Sequence, residues 1–276
     1  MLKISTFNVN SIRARLPQFL RWLKNSNPDI VCLQELKCEE KNFPFDEIAD
    51  AGYNAAIYGQ KTYNGVAILS KFKIEEIIKG LPNIDDSVDD QARYIEAVIN
   101  ISSKFPHQIL RVAAIYVPNG GSDLAQGQAL DETDKFKYKM HFFTKLHQHI
   151  QKLLTYDEMQ IFAGDFNVAK DDIDIYDPLK FHNQILFHPQ ERQKLRSLIN
   201  LGLIDVFRVK NPRSQSYTWW DYRQANYQQN KGARIDYIFA SPNIVDRLEE
   251  VFIEDKGVRD QDKPSDHCPL TATLRA

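Results

Sequence analysis

Three short polar clusters adjoin apolar runs in this chain: Gly164-Asp165-Phe166-Asn167, Arg234-Ile235-Asp236-Tyr237 and Ser265-Asp266-His267-Cys268-Pro269. A strand hands over to a loop at such places, and a rigid scaffold can project reactive side chains from them. Carboxylates around one imidazole are the parts of a hydrolytic site. Asp165 can take or orient the proton of an attacking water, while Asn167 can donate to a phosphoryl oxygen or hold that water. An Asx turn is the plain alternative for this motif. Asp236 and the Asp266-His267 pair supply the rest: a carboxylate bonded to one imidazole nitrogen fixes the tautomer, favours the cation and leaves the other nitrogen for a phosphate oxygen. The other six histidines, His107, His141, His147, His149, His182 and His188, keep the ordinary reading of surface or structural residues.

A metal has fewer candidates. Phe7-Asn8-Val9-Asn10 and Leu33-Gln34-Glu35 end the first two apolar runs. If those strands lie side by side, Asn8 and Glu35 meet as a carbonyl oxygen and one carboxylate. So sparse a set of oxygen donors suits magnesium, which keeps several waters for a phosphate to displace. No Cys/His spacing suggests zinc, and no nucleophile elbow, P-loop or dinucleotide-binding glycine pattern is present.

These clusters need strands to hold them. Short β-rich runs are expected near 2–7, 29–34, 53–58, 65–70, 74–78, 93–100, 108–116, 159–163, 216–220, 234–240, 248–253 and 268–274, with helices near 12–25, 44–50, 132–154 and 189–201. Phe136, Met140, Phe143, Leu146, Ile150 and Leu153 give the third helix one buried stripe. Pro189 and Gly202 bracket the fourth. Two similar halves, each a sheet with helices outside, would pack sheet against sheet.

With 43% hydrophobic and 26% charged residues, the 276-residue chain can bury a sizeable core, which removes the disordered and fibrous classes; one domain over 1–276 is expected. The longest apolar run is too short to cross a bilayer, and the start reads as a strand rather than a secretory signal. Three cysteines without framework spacing point to a reducing compartment and hence the cytoplasm. The net charge of −2 hides a local pattern. Acidic residues gather at 35–50 and 85–90. Lys135, Lys137, Lys139 and Lys145 alternate with Phe136 and Tyr138, and Arg208, Lys210, Arg213, Arg223, Lys231 and Arg234 run among Tyr217, Trp219, Trp220, Tyr222 and Tyr227. Basic side chains with interleaved aromatics suit a phosphate backbone and unstacked bases, although two solvated faces over core aromatics explain the same pattern.

Taken in order, Phe7-Asn8-Val9-Asn10, Leu33-Gln34-Glu35, Tyr116-Val117-Pro118-Asn119, Gly164-Asp165-Phe166-Asn167-Val168-Ala169, Trp219-Trp220-Asp221-Tyr222-Arg223, Arg234-Ile235-Asp236-Tyr237 and Pro264-Ser265-Asp266-His267 resemble the exonuclease III family. These are the abasic-site DNA repair nucleases of the endonuclease/exonuclease/phosphatase superfamily, and the resemblance runs from Ile4 to Pro269. The metal and histidine motifs alone also fit deoxyribonuclease I, inositol-polyphosphate phosphatases and sphingomyelinases. The Tyr116–Asn119 and Trp219–Arg223 runs narrow it.

The resemblance implies a four-layer α/β sandwich of two packed mixed β-sheets flanked by helices, and hydrolysis of DNA phosphodiesters with Mg2+, Mn2+ being the substitute ion. It implies metal binding at Glu35 assisted by Asn8 and Asn10, with Asp165, Asn167, Asp266 and His267 completing the set. Asp165 with Asn167 activates water, His267 oriented by Asp236 contacts the scissile phosphate, and Tyr116 binds the phosphate or aids the departing oxygen. Asn119, Lys137, Trp219, Arg223, Ala233 and Ile235 are the expected DNA contacts, with Trp219, Ala233 and Ile235 lining the pocket for the base-less sugar. Asn10 matches bacterial-type members, where animal-type members carry Asp; Ala233 stands where a bulky apolar residue is common, which widens the expected pocket. The polar stretch from Gly120 to Glu132 is expected to face DNA. The expected substrate is double-stranded DNA with abasic sites or blocked 3′ ends, bound by a monomer. The rival readings are a phosphatase of small phosphorylated molecules, which has no use for the Trp219–Arg223 run, and a non-catalytic DNA-binding module, which has none for the carboxylates.

Overall fold

The computed structural model describes residues 1–82, 89–106, 108–121 and 128–275. Asp85, Asp86, His107 and the middle of the polar stretch after Asn119 lie outside the described residues. Among the described residues twelve strands follow in chain order: β1 (Leu2–Asn8), β2 (Ile30–Gln34), β3 (Asn54–Tyr58), β4 (Val66–Ser70), β5 (Ile74–Lys79), β6 (Tyr94–Asn100), β7 (Ile109–Tyr116), β8 (Met159–Asp165), β9 (Ile204–Asp205), β10 (Asp236–Ala240), β11 (Leu248–Ile253) and β12 (Leu270–Leu274). They form two six-stranded sheets, ordered β11-β12-β1-β2-β4-β3 and β5-β6-β7-β8-β10-β9. Among the described residues only β1–β2 and β7–β8 pair in parallel, so both sheets are mixed. The helices are α1 (Leu16–Ser26), α2 (Phe45–Asp50), α3 (Asp134–Leu153), α4 (Pro189–Ile199) and two short ones, α5 (Val206–Lys210) and α6 (Pro242–Val245).

Strand alternation builds the layers. Ile4, Ile30, Cys32 and Ile68 of the first sheet interleave with Ile95, Val112, Ala114, Ile161, Ala163 and Ile238 of the second in one core. Phe7, Val31, Leu33 and Leu69 turn the other way, onto Phe19, Trp22 and Leu23 of α1 and Ile48 of α2. Ala113, Ile115, Phe162, Tyr237 and Phe239 turn outward onto Phe142, Phe143, Leu146 and Ile150 of α3 and Leu195 and Leu198 of α4. Helix, sheet, sheet, helix is the expected four-layer sandwich.

Three expectations change. The first helix begins at Leu16, not 12, because Pro17 fits only a helix's first turn. Residues 216–220 form no strand; Trp219 makes isolated bridges to Ala233 and His267, and the Thr218 hydroxyl accepts the N–H groups of Ile235 and Asp236, both at 3.1 Å. That side-chain cap also delays β10 to Asp236. Of the two basic stretches, Lys139, Lys145 and Arg234 are buried, and Arg208 joins Arg234 on Asp174. Among the described residues no helix is long and apolar enough to cross a membrane. Cys32, Cys38 and Cys268 are buried and unpaired.

Candidate active site

The alternation that fills the inter-sheet core continues to the strand ends. Ile4 and Ile30 face inward, and Asn8 continues their side of β1; Ile161 and Ala163 are followed on the same face by Asp165, Val112 and Ala114 by Tyr116, and Ile238 and Ala240 are preceded by Asp236. Register then sets neighbours: Asp165 pairs with Tyr116 across the parallel β7–β8 ladder and with Asp236 across the antiparallel β8–β10 ladder. One rung thus presents Tyr116, Asp165 and Asp236 together. Gly164 is required just before it, since a Cβ there would lie 1.9 Å from the Ile115 carbonyl oxygen.

The two sheets meet at this rim. The Asn8 side-chain amide donates to Glu35 Oε1 and to Asp165 Oδ2, each at 2.9 Å, while its own oxygen accepts the Asn10 N–H at 3.0 Å. Asn8 therefore bridges the two carboxylates as a donor. His267 places Nδ1 2.9 Å from Asp236 Oδ2 and Nε2 3.7 Å from Asp165 Oδ2. Burial works against the imidazolium, but Asp236 and then Asp165 outweigh it and raise the pKa to about 10. Burial pushes the Asp165 carboxyl the other way, up to about 7 against the pull of His267. At Glu35 burial is overcome by the Lys37 ammonium, 2.8 Å from Oε2, and the pKa falls below the ordinary carboxylate value. Burial, then Glu35 and Asp165, keep the Tyr116 hydroxyl protonated well above its ordinary range.

Glu35, Asp165 and His267 each offer a ligand atom within 4.8 Å of the others. The carboxylate oxygens of Glu35 and Asp165 fit a divalent cation, with the charged His267 beside them as a donor and not a ligand, and a carboxyl driven upward by burial among other acids is what such a cation would relieve. Asn10 and Asp266 stand off this group. Asn10 donates to Asp266 Oδ1 at 2.8 Å and accepts from Lys37 at 2.6 Å, and Asp266 Oδ2 accepts the Trp219 indole N–H at 3.0 Å. They form a buttress of hydrogen bonds beside the cluster.

Asn167 follows β8 in the left-handed region, φ 52°. Its N–H donates to Asp165 Oδ1 at 2.9 Å, and its amide to Val117 O at 3.0 Å and Asp165 Oδ2 at 3.3 Å. Asn119 is exposed at the end of the neighbouring loop. Beside them opens a cleft of about 570 Å³ whose walls include Glu35, Lys37, Arg93, Tyr116, Asn119 and Lys135. The Arg93 guanidinium stacks 4.7 Å from the Tyr116 ring. Lys137 is exposed on a different face of α3 from Lys135 and does not line this cleft. Arg223 is exposed and held by Asp221 through Nε at 2.9 Å.

The sugar pocket expected from Trp219, Ala233 and Ile235 takes another form. Ala233 is backbone-paired to Trp219, and both Ala233 and Ile235 are buried against Ala169, Ile175, Leu186 and Phe187, with the half-buried Trp219 packed on this cluster. Of these three residues, Trp219 is the one that is not fully buried.

Lys37, Arg93, Thr218 and Lys139 also belong to the site, though no sequence motif marks them as site residues. Lys37 was detectable as a cation two residues after Glu35. Lys139 carried a signal too: it falls on the buried stripe of α3, one turn after Phe136, where a charge needs a partner.

A model of the Endonuclease/Exonuclease/phosphatase family matches residues 5–267. Exodeoxyribonuclease III of Haemophilus influenzae is 32% identical over 281 residues, covering 99% of this chain and 100% of that protein. Among solved structures, a 3′ phosphatase from Neisseria bound to a product DNA hairpin is similar with a TM-score of 0.90 and 36% identity, and an AP endonuclease from Archaeoglobus fulgidus with 0.89 and 35%; each is covered in full, as is this chain.

Proposed function

The chain belongs to the endonuclease/exonuclease/phosphatase family, and from that premise we propose a DNA repair nuclease that hydrolyses the phosphodiester 5′ to an abasic site and also trims 3′ ends as exonuclease and 3′-phosphatase. The observation that carries the reading is the convergence of Glu35, Asp165 and His267 within 4.8 Å at the rim where both sheets end. A DNA-binding module has no need of this arrangement. The relatives named above, all acting on nucleic acid or its 3′ ends by name, favour it over a small-molecule phosphatase.

Glu35, with Asp165 beside it, would hold magnesium. The bound ion would draw charge from the scissile phosphate and acidify a bound water. Asp165 Oδ2, steadied by Asn8 and Asn167, accepts a proton from the attacking water. The imidazolium of His267, kept charged by Asp236, donates through Nε2 to a phosphoryl oxygen. Tyr116, held protonated, donates to the departing oxygen. The bond broken joins phosphorus to the 3′ oxygen, leaving a 3′-hydroxyl and a 5′-phosphate. One phosphate site with a water nucleophile serves abasic incision and 3′ trimming alike. The molecule acts as a single-domain monomer in the cytoplasm.

Purified protein incubated with duplexes carrying an abasic site, a recessed 3′ end or a 3′-phosphate, each with and without Mg2+, tests this. Metal-dependent cleavage of the first two and phosphate release from the third are expected. Release of phosphate from small phosphorylated molecules with intact duplexes left uncut would overturn it.

A further inference from the structure

We propose that Lys139 is a positioning residue for the active site: its buried ammonium, fixed by Glu191, holds the Asn119 and Asn167 loops from behind. The proposal rests on the hydrolytic reading above. Lys139 and Glu191 are both 0% exposed. The ammonium donates to the Asn167 carbonyl at 2.7 Å, to the Asn119 carbonyl at 3.2 Å and to Glu191 Oε1, so its three N–H donors have three acceptors. The other Glu191 oxygen accepts the His188 N–H at 3.0 Å, tying the pair to the start of α4.

Withdrawing two charges from water is costly, and an apolar pair of the same volume would fill the space without that cost. An apolar side chain cannot hold two carbonyls on different loops. Asn167 turns the chain out of β8 in the left-handed region that Asn tolerates, and its two peptide units set where its amide points. Asp165 takes its N–H and Lys139 its carbonyl, so the peptide units on both sides of the residue are fixed and its amide stays on Asp165 and Val117. The Asn119 loop presses on the same lysine: a Cβ at Gly120, φ +92°, would lie 3.1 Å from Lys139 Cδ. The buried pair of Arg111 and Glu96 provides a contrast, since its further partners are Glu158, Tyr94 and His149 and no residue of the site.

The test compares Lys139→Met/Glu191→Gln, Lys139→Arg and the control Arg111→Met/Glu96→Gln by kcat and KM on an abasic duplex, melting temperature, and amide hydrogen exchange. In the first, kcat falls by roughly 10²-fold, the scale of a small misplacement of reacting groups, with KM little changed. Exchange rises at 117–121 and 166–169. Lys139→Arg restores most of the rate, and the control loses melting temperature without losing kcat. Wild-type kcat in the first variant, unchanged exchange at those two segments, or kcat losses that track melting temperature in both pairs would overturn the proposal. Should the double variant not fold, Lys139→Gln decides on the same readouts. Exchange needs no activity, so a wild-type protein that cuts nothing refutes the nuclease reading while the loop-holding role is still judged.

Discussion

Glu35 stands at the meeting of two opposed demands, a carboxylate that is mostly buried yet held ionised by Lys37. Glu35→Ala should therefore abolish Mg2+-supported cleavage with the fold intact, because the remaining carboxylate of the cluster, Asp165, is itself pushed up by burial. Wild-type cleavage at low Mg2+ in a steady-state assay would remove Glu35 from the metal site. His267→Ala should lower kcat by roughly 10²–10³-fold with little change in DNA affinity, since it removes a charged donor aimed at the phosphate. Asp236→Asn should do the same in part, through loss of the anion that keeps the imidazole charged. Equal kcat for His267→Ala and wild type would show that it takes no part. At Ala233 the structure reverses the consequence of its small size. The residue is 1% exposed, so Ala233→Leu should overpack the cluster and cost about 1–3 kcal/mol in denaturant unfolding, with no gain in selectivity for abasic DNA.

At the scale of elements, what was legible was whatever depends on period and turn chemistry. Eleven of the twelve strands and the four long helices fall where apolar alternation and stripes placed them, and Asn8, Glu35, Asp165, Asp236 and His267 were readable because they end such runs. Two of the misses share a cause: side chains that satisfy backbone groups or charges from a distance leave no periodic trace. Thr218 caps β10 in this way. Arg234 does so more strongly, since it binds Asp174 and Asp205 while stacking 4.4 Å from the Tyr237 ring, and the two-residue β9 that carries Asp205 is too short to show a pattern. Burial of Asp174 is outweighed by Arg234 and Arg208, which hold its pKa below the ordinary value. Folded stability from this group is then fully present above the unfolded pKa, about 3.9, and is lost as pH falls through the lower folded value. Asp174→Asn should destabilise the protein by about 3–5 kcal/mol at pH 7, because two guanidinium groups lose a buried partner. The gap between variant and wild type should narrow only below pH 4 in urea melts. A gap independent of pH down to the acid transition would mean that the carboxylate contributes through shape and not through charge.

For the whole molecule the question is how a chain of net charge −2 meets a polyanion. Sequence alone offered two basic stretches, and folding divides them. Lys139, Lys145 and Arg234 are buried, Arg208 is turned onto Asp174, and Arg223 is matched by Asp221. Lys37, Arg93 and Lys135 line the cleft beside the site. Spacing could not reveal this, because Lys135 and Lys137 look alike in sequence but lie about 200° apart around a helix. DNA seated across the rim should therefore reach Lys135 and miss Lys137. Each phosphate contact adds close to one unit to the slope of log affinity against log salt. Lys135→Ala should make that slope shallower by about 1 and weaken abasic and undamaged duplexes alike, whereas Lys137→Ala should leave it at the wild-type value. Fluorescence anisotropy of labelled duplexes over a salt series, with Mg2+ replaced by Ca2+ to prevent cleavage, measures both. A shallower slope for Lys137→Ala with none for Lys135→Ala would place the duplex on the opposite face of α3, away from the cleft and from Tyr116.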